Sequence, residues 1–203
     1  MKHRLRTKGF SLIEILIVLG IVTLLVGIAT LLLGDTFKFN RNISNSLTQN
    51  LEARHAIKRM SAEIRKMSPS SIGAYPLEQA GTSTLTFYSN VDTDSEKERV
   101  RYFIKNNALI RGEIQPTGNP LTYNQATEAT TTIVRALINN SSTPLFSYHT
   151  DAYAGTSSPL VAPFTISIVR LIKIAIYTQN DSATTSPNIY TTQVSFRNLK
   201  DNL

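Results

Sequence analysis

The chain has 203 residues and a formal net charge of +7, with no cysteine and no tryptophan. The length accommodates one globular domain plus a membrane segment, and the lack of cysteine excludes disulfides and thiolate metal sites. Four of the basic residues lie within the first eight positions, and no patch of interleaved basic and aromatic residues follows. The charge is therefore weak evidence for a nucleic-acid partner, and we do not expect one.

A long apolar run spans residues 10–33 and follows a short basic segment, residues 1–9. At about 1.5 Å per residue, a helix of this length crosses a hydrocarbon core of about 30 Å. The positive-inside rule places the basic segment in the cytoplasm and the rest of the chain across the membrane. An ordinary secretory signal has a shorter apolar region and a small-residue cleavage site after it, which does not fit this run.

Glu14 is the one charged residue in the apolar run. A charged side chain costs about 2.5–3.5 kcal/mol at the centre of a bilayer, and less near the interface. Such a residue is presumed functional, with a cationic partner inside or at the edge of the membrane. A plain signal anchor explains the length of the run and the flanking charge, but it leaves Glu14 unexplained.

Residues 8–19, KGFSLIEILIVL, resemble the processing signal of type IV pilins and type II secretion pseudopilins. The resemblance implies that prepilin peptidase cuts between Gly9 and Phe10 and then N-methylates Phe10, so residues 1–9 form a removable leader. It also implies that Glu14 pairs with the new N-terminal amine of a neighbouring subunit during assembly. The physics agrees, because an opposite charge neutralises a cation in the apolar layer more favourably than lipid does.

Residues 34–67 change to an amphipathic pattern and continue the predicted helix. Apolar residues recur at steps of three, four or six, and charged residues, Arg59 and Glu63 among them, lie mostly between them. The apolar set is Ile43, Leu47, Leu51, Ile57, Met60, Ile64 and Met67. Pro69 supplies a stop signal. The sequence therefore predicts one long helix whose second half lays an apolar stripe on a soluble domain.

Residues 68–203 hold short β-like runs between loops rich in Ser, Thr, Asn and Pro, and we expect a globular antiparallel sheet domain. The predicted strands are 84–89, 100–104, 108–114, 145–148 and 190–196, with a hairpin turn at Lys105-Asn106-Asn107. Residues 131–138 fit helix or strand. Residues 164–177 fit one long strand, interrupted by Arg170 and Lys173, or turns leading into a strand. A helix followed by antiparallel strands indicates an α+β fold with the helix packed on one sheet, which is pilin-like.

Asp92, Asp94 and Glu96 form an acidic run after a predicted strand. Hard cations bind such oxygen clusters, so this is a candidate calcium site, but Lys97 stands where an EF-type loop has glycine, and Arg99 follows. We therefore favour a solvated loop and expect neither a metal nor a cofactor. No nucleophile elbow, catalytic triad motif or glycine-rich phosphate loop occurs in the sequence, so we expect no enzymatic activity.

The resemblance implies a structural subunit, a minor one, of a type II secretion pseudopilus or a type IV pilus. Its expected partners are prepilin peptidase, other pilin or pseudopilin subunits, the inner-membrane assembly platform and the lipid bilayer, with no small-molecule substrate. The expected location is the cytoplasmic membrane, with the sheet domain outside, and then an extracytoplasmic filament. The sequence is most similar to J-type minor pseudopilins and W-type minor pilins. The alternative is a single-pass membrane-anchored protein whose outer domain binds a ligand.

Overall fold

The computed structural model describes residue 9, residues 11–179 and residues 186–195, and for residues 34–46 it describes the backbone alone. The predicted leader up to residue 8, the predicted methylation site Phe10 and the end of the last predicted strand at Phe196 lie outside the described residues. The chain divides into two compact units, Met1–Asn45 and Ser46–Leu203.

One helix, α1, runs from Leu12 to Arg65. The main-chain carbonyl of Ser11 accepts hydrogen bonds from the N–H groups of Glu14 (3.0 Å) and Ile15 (3.2 Å), which closes the first turn. The sequence of α1 contains no proline, so every residue after the first turn can donate to the helical ladder. The helix ends at Arg65, and a tight turn follows in which the N–H groups of Lys66 and Met67 donate to the carbonyls of Glu63 and Ile64, both at 3.1 Å.

The buried face of α1 in the second unit differs in part from the predicted stripe. It consists of Ala53, Ala56, Met60, Ile64 and the following Met67, with Ile57 partly buried. Leu47 and Leu51 are exposed instead. The cause is the helical repeat, since Leu51 is two residues, or about 200°, away from Ala53 around the helix. The side chain of Ile43 lies outside the described part of the chain.

Five strands form an antiparallel meander in the order β1-β2-β3-β4-β5. They are β1 Leu77–Ala80, β2 Thr84–Ser89, β3 Glu98–Lys105, β4 Ala108–Ile114 and β5 Ala129–Val134. Asn106 and Asn107 connect β3 to β4 with φ angles of 51° and 56°, which confirms the predicted hairpin. Asparagine tolerates this left-handed region better than most residues, and a two-residue turn of this kind matches the twist of the strands.

Three further strands form a second antiparallel sheet in the order β6-β7-β8, whereas the sequence indicated one sheet. They are β6 Phe146–His149, β7 Leu171–Thr178 and β8 Asn188–Ser195. A short 3₁₀ helix, Ile166–Ile168, precedes β7, so turns lead into this strand as the second alternative stated. Lys173 does not break the alternation of β7. Ile172 and Ile174 lie on the buried face of the strand, and Lys173 lies on its other, half-buried face.

A single hydrophobic cluster joins the end of α1 to both sheets in the second unit. Met60 and Ile64 come from α1, Phe87 and Tyr102 from the first sheet, and Ile174 from the second. An N-terminal apolar helix followed by antiparallel sheets around one core confirms the predicted α+β, pilin-like fold class.

Candidate functional site

Gly9 lies immediately upstream of the helix start and is exposed. A Cβ atom added to Gly9 would meet no heavy atom within 4 Å. Packing within the described part of the chain therefore gives no reason for a glycine at this position. Phe10, its predicted partner in the cleavage site, lies outside the described residues.

Glu14 is exposed in the first turn of α1. A carboxylate is favoured there, because the free N–H groups and the macrodipole give the start of a helix a partial positive charge. Among the residues that the structure describes, none forms a hydrogen bond or an ion pair with this carboxylate.

The part of α1 from Leu12 to Leu33 is long and apolar enough to cross a membrane, and none of it is buried within the protein. Its two hydroxyl groups are satisfied inside the helix: Thr23 donates to the carbonyl of Gly20 (2.9 Å) and Thr30 to that of Gly27 (2.8 Å). Lipid offers no hydrogen-bonding partners, so this internal pairing suits a membrane environment. Added Cβ atoms at Gly20 and Gly27 would also meet nothing within 4 Å.

These features suit a single-pass, membrane-anchored protein with a pilin-like fold. A family model, the prokaryotic N-terminal methylation motif, matches residues 4–30. This motif is the signal of type IV pilins and pseudopilins, and with the apolar helix it supports a type IV pilin-like subunit. It implies processing by prepilin peptidase and assembly with other pilin subunits. A search of the curated proteins found no match to the chain.

A buried ion cluster, which the sequence did not predict, joins the end of α1 to the first sheet. The Nε atom of Arg111 on β4 lies 3.1 Å from both carboxylate oxygens of Glu63. The hydroxyl of Tyr102 on β3 donates to Glu63 Oε2 at 2.6 Å. Arg59, one turn earlier on α1, donates to Glu63 Oε1 at 2.9 Å, and Arg111 also pairs with Glu113. The carboxylate of Glu63 thus has three donors from three elements.

Two groups of the ion cluster, Arg111 and Tyr102, have raised pKa values. Burial alone would lower the pKa of Arg111, but the hydrogen bonds and charge of Glu63, with the hydrogen bond to Glu113, raise it overall. Burial and then the charge of Glu63 raise the pKa of Tyr102 well above its usual value. Arg111 therefore stays cationic and Tyr102 stays a hydrogen-bond donor at neutral pH.

The acidic loop, residues 90–97 between β2 and β3, brings together a different set of carboxylates from the one predicted. Asp92, Asp94 and Glu98 each offer an oxygen within 4.8 Å of the other two, whereas the side chain of Glu96 is not in this group. Glu98 begins β3, where it lies on the same buried face as Val100 and Tyr102. A glutamate in the inward register of an alternating strand is the sequence signal that could have found it.

Proposed function

We propose that this chain is a minor structural subunit of a type II secretion pseudopilus or a type IV pilus. In this proposal prepilin peptidase cuts between Gly9 and Phe10, methylates Phe10, and the subunit is then assembled from the membrane through α1. The observation that carries the proposal is the carboxylate of Glu14. It is exposed, lies in the first turn of an apolar helix, and has no partner among the described residues.

Cleavage after Gly9 supplies the missing cation. The new N-terminal amine lies in the same apolar layer as Glu14, four residues away along the chain. In a medium of low dielectric constant, two separated charges are costly and a close pair of opposite charges is much less so. If the carboxylate of Glu14 accepts a hydrogen bond from the N-terminal amine of a neighbouring subunit, this pair fixes the axial displacement between the two helices. A constant axial displacement between subunits is what a helical filament requires.

The two glycines in the apolar helix support the same arrangement. Gly20 and Gly27 weaken the helix relative to alanine, and no contact within the described chain requires them. In membranes small residues let helices approach closely, so a face containing these glycines favours packing against another subunit. The proposed role is mechanical, with no catalytic step on this chain, and the sheet unit is carried outside the membrane.

The mature N-terminus tests the processing step. We expect mass spectrometry of the protein purified from host membranes to find a chain that begins at N-methylated Phe10. A chain that retains Met1 would contradict the proposal and favour a membrane-anchored ligand-binding protein, which needs no processing.

A matched pair of variants separates a peptidase requirement from misfolding. Gly9→Leu and Gly20→Leu each place a side chain in space that is open within the chain. We expect Gly9→Leu to accumulate as the unprocessed precursor and Gly20→Leu to be cut at the wild-type level. Normal cleavage of the Gly9→Leu protein would show that the glycine is not recognised.

A further inference from the structure

The acidic loop and the first residue of β3 bring three carboxylates close together, and among the described residues no cation forms a salt bridge with them. The Nζ atom of Lys97 donates to the carbonyl of Ser95 (2.7 Å). The guanidinium of Arg99 forms two hydrogen bonds to Glu78, both of 2.7 Å. The basic residues that follow the acidic run in sequence therefore bond to other groups than these three carboxylates. Within the described ranges, no lysine, arginine or histidine forms a salt bridge with Asp92, Asp94 or Glu98.

One carboxylate oxygen of Glu98 is buried without a hydrogen-bond partner. The residue is fully buried, and its Oε2 atom accepts a hydrogen bond from the N–H of Val91 at 2.8 Å. Its Oε1 atom is buried and has no hydrogen-bond partner. A buried carboxylate oxygen without a partner is destabilising, because it has lost its water and gained nothing in return. Burial, reinforced by the charges of Asp92 and Asp94, accordingly raises the pKa of Glu98.

The loop is also ordered in a way that presents its carboxylates. Oδ1 of Asp92 accepts from the N–H of Asp94 (3.0 Å), and Oδ1 of Asp94 accepts from the N–H of Glu96 (2.8 Å). Oδ2 of Asp92 has one long contact, 3.4 Å, with Nε2 of Gln115. These main-chain contacts fix the two aspartates and leave the second oxygen of each weakly engaged or free for a further partner.

We propose that Asp92, Asp94 and Glu98 bind one Ca²⁺ ion at the acidic loop. Their oxygens lie within 4.8 Å of one another, and two oxygens bound to one Ca²⁺ at about 2.3–2.6 Å can be at most about 5 Å apart. Mg²⁺ bonds are about 2.0–2.1 Å long, demand near-ideal octahedral geometry and usually leave several waters on the ion, so Mg²⁺ is seldom held by a set of protein oxygens alone. Ca²⁺ tolerates irregular sets of six to eight oxygens, and the exposed aspartates admit water as the remaining ligands.

Calcium would act by relieving the buried charge of Glu98 and by fastening the acidic loop to the start of β3. It would bind the folded protein alone, because the three carboxylates are brought together by the β2–β3 pairing. Ligands that bind only the folded state raise the midpoint of thermal unfolding. The bound ion would therefore stabilise the folded protein by holding the acidic loop of the first sheet in place.

The test measures thermal unfolding of the full-length protein in detergent micelles by circular dichroism, in EDTA, in Ca²⁺ and in Mg²⁺. At a hundredfold excess over the dissociation constant, we expect Ca²⁺ to raise the midpoint by about 5–10 °C relative to EDTA. We expect a smaller rise with Mg²⁺. No rise with Ca²⁺, or an equal rise with Mg²⁺, would overturn the assignment.

Glu98→Gln and Glu96→Gln form a matched pair of variants two residues apart. Glu98→Gln keeps an oxygen acceptor for Val91 but removes the charge, so we expect it to lose the Ca²⁺ shift without a lower midpoint in EDTA. Glu96→Gln should keep the full shift. Retention of the shift by a folded Glu98→Gln protein would overturn the proposal.

The exposed ligand Asp94 provides a variant that does not disturb the core. Asp94→Asn should fold as the wild type in EDTA and reduce the Ca²⁺ shift by at least half. Calorimetric titration of Ca²⁺ into the same proteins should give one site in the wild type and in Glu96→Gln. A wild-type shift in Asp94→Asn would count against the site even where Glu98→Gln fails to fold.

Discussion

The Oε2 atom of Glu63 on α1 lies 3.1 Å from the Nε atom of Arg111 on β4, although 48 residues separate the two in sequence. Only 10% of the Glu63 side chain and 4% of the Arg111 side chain are exposed. Each charge would be costly to bury without the other. We infer that the pair fixes the rotation of the end of α1 against the first sheet, because a turned helix would separate two buried charges and leave each with only the partner on its own element, Arg59 for Glu63 and Glu113 for Arg111.

Removing one partner of this pair should be strongly destabilising. We expect Glu63→Ala to lower the free energy of unfolding by about 3–5 kcal/mol, because Arg111 is left buried without its main partner. Arg59→Ala should cost less than about 1 kcal/mol, since that side chain is 48% exposed and the ion pair faces water. Urea titration of the full-length protein in detergent micelles measures both changes.

The double variant Glu63→Leu/Arg111→Met is the control for this prediction. Removing both charges should cost much less than Glu63→Ala alone, because no buried charge remains unpaired. A Glu63→Ala loss below about 1 kcal/mol, or a double variant that is worse than the single one, would contradict the role assigned to the pair.

The hairpin turn between β3 and β4 makes a prediction about the backbone. Asn106 is exposed and has a φ angle of 51°. We expect Asn106→Val to lower the free energy of unfolding by about 1–2 kcal/mol, because a branched side chain is strained in the left-handed region. Asn106→Gly should change it little. An equal loss in both variants would mean that the asparagine side chain, and not the backbone angle, matters here.

The sequence predicts features whose physical cause is local. The hairpin depends on two residues that tolerate positive φ, and the membrane span of α1 depends on an unbroken apolar run. Glu14 stands out in the sequence because its surroundings are apolar. Each of these signals is contained within a short stretch of chain, so the hairpin, the apolar helix and the fold class could be predicted before the structure.

Two of the missed features, the burial of Glu63 and the exposure of Leu47 and Leu51, depend on contacts between distant parts of the chain. Glu63 lies among charged residues that helical periodicity assigns to solvent, and only the position of Arg111 on β4 makes it a buried partner. Leu47 and Leu51 satisfy the periodic pattern, but the sheets cover a different face of the helix. Glu98 joins the acidic cluster because the start of β3 folds back beside the loop, which the spacing of acidic residues alone does not reveal.

His149 makes a prediction about pH. It is 5% exposed, and neither ring nitrogen has a hydrogen-bond partner. Burial, assisted by the charge of Lys173, lowers the pKa of His149 below its usual value of 6.5. The unfolded chain therefore binds more protons than the folded protein as pH falls below about 6.5, so acid should weaken the fold by at most about 1.4 kcal/mol per pH unit from this group.

Comparison with a second histidine isolates this effect. We expect the free energy of unfolding of the wild type to fall between about pH 7 and pH 5, and the fall to be smaller in His149→Phe. His55→Ala should follow the wild type, because His55 is exposed on α1. If His149→Phe and the wild type lose stability in parallel, the buried histidine is not the group that responds.

The most direct test of the proposed assembly is cross-linking between neighbouring subunits in host membranes. The chain has no cysteine, so one engineered cysteine, such as Leu16→Cys near the start of α1, reports contact between subunits without background. In the Leu16→Cys protein, Glu14→Gln should leave membrane insertion and cleavage unchanged. It should reduce the amount of cross-linked product about tenfold or more, because a lost pairing free energy of about 1.4 kcal/mol corresponds to a factor of about ten. Cross-linking of the Glu14→Gln protein at the wild-type level would contradict the proposal that this carboxylate pairs the subunits.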